Sequence, residues 1–431
     1  MTVLTKAYLG STLLSSVYLG ATQLLGGGGG SEFAFGGFEP AYLLDFVNDP
    51  SGAESALTFS RASTAMMRNS SGAWVSVGIN EPRIGHHEWN GSEWVSKGLL
   101  KEGQATNLCL QSGDVSVSPW VRAGITAVAS DGDWYRLQLD TSTTGHYLSQ
   151  TASVYNGESH CISANVKKGE AKYVQLTTST GFVNYSFVNF DLENGVVYST
   201  TNMPEHYGII DNGDDYTIYM SEVTNLNSGR FLLVLLDTLD AGRAQSFSGD
   251  GVSGVYVRNL QLEEGTLPSS PIPTNGSAVT RAADVMTQPA GTLPWSASAL
   301  SLFMAGEVSG DSYTLLSWQV DANNRITHTL NTSDFTFAQA AAGTVDSVTG
   351  GSHTSGLSVP FAYATTHTST GIYAAVNGSA LTPDETPTAL ADLTGAATSL
   401  LPSGNYTIAA IAGWAVDIGD TGRLEGSNYG S

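Results

Sequence analysis

The sequence predicts an all-β chain with two β-sandwiches in tandem, placed after an extended N-terminal peptide and a glycine-rich linker. Three observations predict it. Charged residues make up only 13% of the chain, which denies long solvent-exposed helices the Glu, Lys and Arg they depend on. Short runs rich in Val, Ile, Tyr, Phe and Thr recur, separated by Gly, Asn and Asp clusters at the spacing of sandwich strands. The pattern breaks at a proline-rich stretch, Pro268 to Pro273, and then restarts, giving two units that can each bury a core.

Residues 1–25 hold an internal repeat, in which Ala7-Tyr8-Leu9-Gly10-Ser11-Thr12-Leu13 returns as Val17-Tyr18-Leu19-Gly20-Ala21-Thr22-Gln23-Leu24. Its ten-residue period is too short for a solenoid unit. Each copy can form a brief strand, but neither buries enough apolar surface alone, so the segment is expected to pair with something else. Gly26 to Gly30 follow, and glycine runs behave as flexible coil, so residues 26–41 read as a linker.

Residues 42–108 read as an extended region with short strands, such as the alternating Ala73-Trp74-Val75-Ser76-Val77. Residues 109–275 carry about eight β-favouring runs, among them Trp134 to Leu139, Cys161 to Lys167, Phe231 to Leu235 and Val255 to Leu262. That number suggests a jelly roll. Residues 276–431 repeat the pattern through Ala299 to Ala305, Tyr313 to Trp318, Ile372 to Gly378 and Tyr406 to Ile411. No helix pattern follows the last of these runs.

A formal net charge of −22 argues against DNA or RNA as a partner and disfavours anionic membranes. The first residues contain no continuous apolar stretch long enough for a signal peptide or a membrane span. Synthesis in a reducing cytoplasm and release by lysis are therefore expected, with Cys109 and Cys161 as buried thiols.

The chemistry-bearing residues are few. His86-His87-Glu88 lacks the helical spacing of a metalloprotease, and adjacent strand residues point to opposite faces, so no metal site is assigned. Asp211-Asn212-Gly213-Asp214-Asp215 reads as a turn whose oxygens could also hold a structural calcium; otherwise no cofactor is expected. No nucleophile elbow, phosphate loop or paired-cysteine zinc pattern is present, so no catalytic residue is assigned. Sugars stack their C–H faces on aromatic rings. Trp120, Trp134, Tyr155 and Tyr185 in the first sandwich, and Trp318 and Trp414 in the second, are the candidate platforms, each to be weighed against a place in the core.

Three stretches resemble tailed-phage and prophage structural proteins. The paired Tyr-Leu-Gly repeat before a glycine run resembles their N-terminal docking segments. Phe59-Ser60-Arg61-Ala62-Ser63-Thr64, then Asn80-Glu81-Pro82-Arg83, then Gly98 to Leu108 resemble a recurrent phage pattern, in order and spacing. Gln261-Leu262-Glu263-Glu264-Gly265 and Val279-Thr280-Arg281-Ala282-Ala283-Asp284 resemble the exit of a carbohydrate-binding-module-like sandwich, and residues 276–431 resemble concanavalin or laminin-G sandwiches. The resemblance implies a virion protein without enzymatic activity, a tail-fibre or appendage subunit, trimeric like other fibres. Tyr8, Leu9, Gly10, Tyr18, Leu19 and Gly20 would dock on other phage structural proteins, and the sandwiches would contact host-surface glycan. A head decoration or connector, or a polysaccharide depolymerase, are the alternatives.

Overall fold

The computed structural model describes residues 32–201 and 204–430, together with four short backbone strands before them. Those four form two two-stranded antiparallel pairs, Tyr8–Leu9 with Thr12–Leu13 and Val17–Leu19 with Thr22–Leu25, so each repeat copy is a small hairpin. Tyr8, Leu9, Tyr18 and Leu19 lie in these strands, while Gly10 and Gly20 lie outside the described residues.

The chain is all-β with two sandwiches. In the first, one sheet runs in the spatial order Val121–Ala123, His146–Ser153, Ser228–Leu236, Tyr173–Thr178, Phe187–Asp191, Val196–Thr201. The other runs Ile125–Ala129, Tyr135–Leu139, Gly254–Glu264, Ser159–Lys168, Tyr216–Val223, Tyr207–Asp211. From His146 the chain crosses sheet to sheet in jelly-roll manner, and every pairing is antiparallel. Inward-facing Ile162, Ala164 and Val166 pack with Leu176, Phe190 and Leu233. Their neighbours Cys161, Ser163 and Asn165 face the other way and are buried too, because a further layer covers that face.

The second sandwich has one sheet in the order Ser379–Ala380, Ile372–Val376, Gly356–Thr368, Ala299–Gly310, Asn405–Trp414, Trp94–Lys101, Arg83–Trp89, with Tyr42–Asp45 also on Asn405–Trp414. The facing sheet runs Thr344–Gly350, Phe335–Ala341, Asn324–Leu330, Tyr313–Asp321, Thr398–Leu400, Val285–Gln288, Thr58–Ser60. Residues 42–108, expected to be an extended region with short strands leading into the first sandwich, supply strands to both sheets of the second through Tyr42–Asp45, Thr58–Ser60, Arg83–Trp89 and Trp94–Lys101. Leu99 pairs with Ile408 and Leu44 with Ile411, and Leu44, Phe46 and Leu99 are fully buried in its core. The reason is physical: these strands are too short to form a core among themselves, so they add to edges supplied from the far end of the chain.

A helix, Gly419–Ser427, follows the last strand, where the sequence shows no helix pattern. Gly419, Gly422 and Gly426 each disfavour it, and tertiary contact overrides them. A Cβ on Gly422 would lie 3.0 Å from the Gly36 nitrogen, and one on Gly426 3.1 Å from the Phe35 ring. Only glycine lets the helix lie this close over the aromatic layer of Phe33, Phe35 and Phe303. Arg423, buried beneath, reaches Asp417 at 2.7 Å and Thr366 at 2.8 Å, and its guanidinium lies 4.8 Å from the Tyr373 ring centre.

A polar chain crosses the core of the same sandwich. His328 and His367, both fully buried, meet through their Nε2 atoms at 3.1 Å; Tyr363 Oη lies 3.0 Å from His328 Nδ1, and Gln339 Oε1 3.2 Å from His367 Nδ1. Burial pushes both imidazoles down, His367 to about 3, and His367 adds to the effect on His328.

The chain passes to the first sandwich and back through a two-stranded neck, Ala105–Asn107 paired with Val279–Arg281. Beside it lies a buried ionic cluster. Asp284 accepts from Arg61 at 2.9 Å and Arg83 at 2.5 Å; Glu102 accepts from Arg83, from Arg281 at 2.8 Å and from the Ser270 amide at 2.7 Å. Burial pushes Glu102 up, but Arg281 and Arg83 outweigh it and hold the carboxyl far below the usual range. Glu263, tied to Ser269 and Gln261, is raised by burial to about 7. Arg61, Arg83, Glu102, Glu263, Arg281 and Asp284, from motifs far apart in the sequence, thus meet in one place, and their contacts there hold the neck.

Candidate functional site

The second sandwich sends two hairpins, Ala65–Arg68 with Trp74–Val77 and Arg83–Trp89 with Trp94–Lys101, toward the outer face of the first. Between them and the Tyr207–Asp211/Tyr216–Val223 hairpin lies a cleft with two chambers, about 180 and about 430 Å³. Arg68, Trp89, Trp94 and Asn212 border both chambers, so they form one continuous feature.

Its walls are tryptophans. Trp89 and Trp94 are register partners across the Asn90-Gly91 turn, which puts both rings on one face, 5.7 Å apart. Arg68 is 5% exposed; its guanidinium lies 4.5 Å from the Trp74 ring centre and 5.0 Å from that of Trp94, and Nη1 donates to the Gly72 carbonyl at 2.9 Å. Burial lowers Arg68 to about 10, still charged at neutral pH. A Cβ on Gly72 would lie 2.2 Å from the Trp94 indole, so only glycine admits that ring. The stack of Trp74, Arg68 and Trp94 therefore fixes the wall through cation–π contact. On the opposite wall Trp134 stands half-buried under Arg258, 4.2 Å from its ring centre, and Arg258 binds Asp133 at 3.0 Å and Asp215 at 2.8 Å.

Four carboxylates border the inner chamber, Glu88, Glu102, Asp211 and Glu307, and two of them influence each other. Glu307 binds Lys97 at 2.6 Å and is nonetheless raised, first by burial and then by the nearby Glu88. Glu88 is also pushed up by burial, but His86, 3.7 Å away, with Lys97 and Arg68, leaves it below the usual range. The arrangement can stack a sugar ring on indole faces and accept its hydroxyls on carboxylates and amides.

Of the aromatic residues singled out in the sequence, only Trp134 is in the cleft. Trp120, Trp318 and Trp414 are 4%, 1% and 1% exposed and serve as core: their indole N–H groups donate to the carbonyls of Gln111, Ala396 and Phe38. They offer no ring face to a ligand, because large aromatics pay best when buried with the N–H satisfied. Tyr155 and Tyr185 are exposed, on loops that both bond the 223–227 segment, away from the cleft. Trp74, Trp89 and Trp94 were missed as binding candidates. The available signal was the pairing of Trp89 with Trp94 across an Asn-Gly turn.

The acidic turn is partly tied within itself. Asp211 accepts from the Gly213 amide at 2.8 Å, and Asp215 from Asn212 at 2.8 Å and Arg258. Among the described residues no group of three or more His, Cys, Asp or Glu converges to hold a metal ion. The outer face of the first sandwich's other sheet is occupied by its own chain: Asn189 Nδ2 donates to the carbonyls of Leu239 at 2.8 Å and Ala241 at 2.9 Å.

No family model matches the chain, and no curated protein matches it. Among solved structures it is similar to domains LG4-5 of the mouse laminin alpha1 chain, at 10% identity and TM-score 0.24, covering 68% of this chain and 90% of that one. The LG1-3 region of the laminin alpha2 chain follows at 9% and 0.24, covering 63% and 64%. A mutant of the GH43 protein BlXynB from Bacillus licheniformis stands at 10% and 0.23, covering 69% and 75%. Similarity at this level is silent on ligand chemistry.

Proposed function

We propose that this chain is a bacteriophage virion protein, a tail-fibre or appendage subunit that binds host-surface glycan in the cleft between its sandwiches and does not cleave it. The observation that carries the glycan reading is the grouping of Trp74, Trp89, Trp94 and Trp134, none of them core residues, on the two walls of one cleft. The repeat of Tyr8-Leu9-Gly10 and Tyr18-Leu19-Gly20 before a glycine run supports attachment to other virion proteins, and assembly as a trimer follows from the fibre reading. A glycan array with the full chain tests the binding claim, and silence against the natural host's envelope sugars refutes it. Deleting residues 1–25 tests the attachment: the sandwiches stay folded and incorporation into particles is lost, whereas normal incorporation refutes the anchor.

One observation favours a second reading, a depolymerase. Glu88 and Glu307 border one chamber and are shifted in opposite directions, as the two carboxyl groups of a glycosidase are. New reducing or unsaturated sugar ends after incubation with host polysaccharide would establish cleavage, and their absence across several hosts would exclude it.

A further inference from the structure

We infer that the cleft takes a neutral, hydroxyl-rich glycan and turns carboxylated ones away; this rests on the cleft being the glycan site. Stacking on tryptophan does not separate the two classes, since a uronate ring has the same C–H faces as a neutral hexose. Charge separates them, and the cations fixed in or next to the walls of the cleft, Arg68, Lys97 and Arg258, are already engaged.

A carboxylated sugar is normally gripped by a guanidinium or ammonium with donors to spare. Arg258 gives Nη1 to Asp133 and Nη2 to Asp215, and its Nε is buried out of a ligand's reach. Lys97 is held by Glu307 at 2.6 Å. Arg68 lies between two indoles, and its Nη2 has no exposed surface through which an anion could reach it. An anionic substituent would have to displace one of these partners and leave a carboxylate unpaired in a partly buried place, which is costly. Lys167 is in none of the described ion pairs, but it is an exposed side chain bordering the outer chamber and presents no fixed geometry.

Acceptors, in contrast, are plentiful. Asp211 and Asp214 are exposed on the turn facing the hairpins, and Glu88 borders the inner chamber. Carboxylates accept hydrogen bonds and do not donate them, so they reward hydroxyl-bearing sugars and repel carboxylates. At longer range the net charge of −22 slows the approach of any polyanion and hardly affects a neutral chain.

The test compares an acidic polysaccharide with its carboxyl-reduced form, in which each uronate has become the neutral sugar of the same stereochemistry. Binding of the full chain is measured by calorimetry or surface plasmon resonance on the pair of polymers from several sources. The reduced polymer should bind about tenfold tighter or more at low salt, and the gap should narrow between about 0.05 and about 0.5 M salt as screening sets in. Trp94→Ala should remove the binding; Trp134→Ala, on the opposite wall, serves where the first variant fails to fold. Asp211→Asn with Asp214→Asn should shrink the preference. If the acidic polymer binds as tightly as its reduced form, or tighter, and the tryptophan variants abolish that binding, the inference is overturned while the cleft keeps its role as the glycan site. If neither polymer of any pair binds, or binding survives the tryptophan variants, the cleft is not the site and both readings fall.

Discussion

Replacing Arg83 by methionine removes one cation from the neck and leaves most of its volume filled. Arg83 is fully buried and donates to Glu102, to Asp284 at 2.5 Å, to Ser270 Oγ at 3.0 Å and to the Met66 carbonyl at 3.1 Å. Removing one partner of a buried ion pair costs about 3–5 kcal/mol. Glu102 still has Arg281 at 2.8 Å and Asp284 still has Arg61 at 2.9 Å, which places the loss at the lower end, about 3 kcal/mol. For a domain of this size that lowers Tm by roughly 6–12 °C. Thermal unfolding at neutral pH, followed by calorimetry, measures it. Lys168→Met is the control, since its pair with Glu193 is open to solvent and screened, and its loss should leave Tm essentially unchanged. The deficit should shrink as pH falls below about 4.5. Glu102 is depressed in the folded state, so its contribution to the parent is present above the ordinary carboxyl pKa of 4.5 and is lost on acidification. A variant that melts within about 1 °C of the parent would refute the claim that the motif residues act by holding the neck.

The buried imidazole pair makes the second sandwich acid-sensitive. The unfolded chain takes up protons near pH 6.5 and the folded one does not until about 3 at His367, so stability is complete above 6.5 and falls through that window. The slope is up to about 1.4 kcal/mol per pH unit for each imidazole, and His367→Gln should remove about half of it in denaturant titrations between pH 6 and pH 4. Trp318→Ala should cost about 3–5 kcal/mol and leave glycan affinity per folded molecule unchanged, whereas Trp89→Ala should cost far less stability and abolish binding. Gly98, at φ +83° in the bulge of the cleft hairpin, has room for no Cβ: one would lie 2.2 Å from the Ile408 carbonyl oxygen. Gly98→Ala should therefore cost more than about 2 kcal/mol and shift the near-ultraviolet signal of the cleft tryptophans.

The strand content and the two cores were legible because alternation survives wherever one face of a strand is wet or looks onto a single core. Asn324–Leu330 shows it, with Ile326, His328 and Leu330 inward. Legibility failed where partners lie far apart in sequence. Nothing in Leu43-Leu44-Asp45 announces that its partner is Ile411, and nothing in Gly419 to Gly426 announces a helix in which Gly422 and Gly426 are there for contact rather than freedom. The cleft shared that difficulty. Trp134 reads in the sequence as a candidate platform on the same footing as the core residues Trp120, Trp318 and Trp414, its companions on the other wall sit in a hairpin that reads locally as a turn, and only tertiary packing brings the two together.

The neck has a consequence for how such chains diversify. The outgoing and returning strands are ladder partners, Ala105 opposite Arg281 and Asn107 opposite Val279, so the inserted jelly roll begins and ends at nearly one point. The charged residues that close this junction belong mostly to the host sandwich, at Arg61, Arg83, Glu102, Arg281 and Asp284. A gene that keeps those five codons can exchange the stretch between the two neck strands for another domain with adjacent termini, trading one outer domain for another while the socket stays as it is.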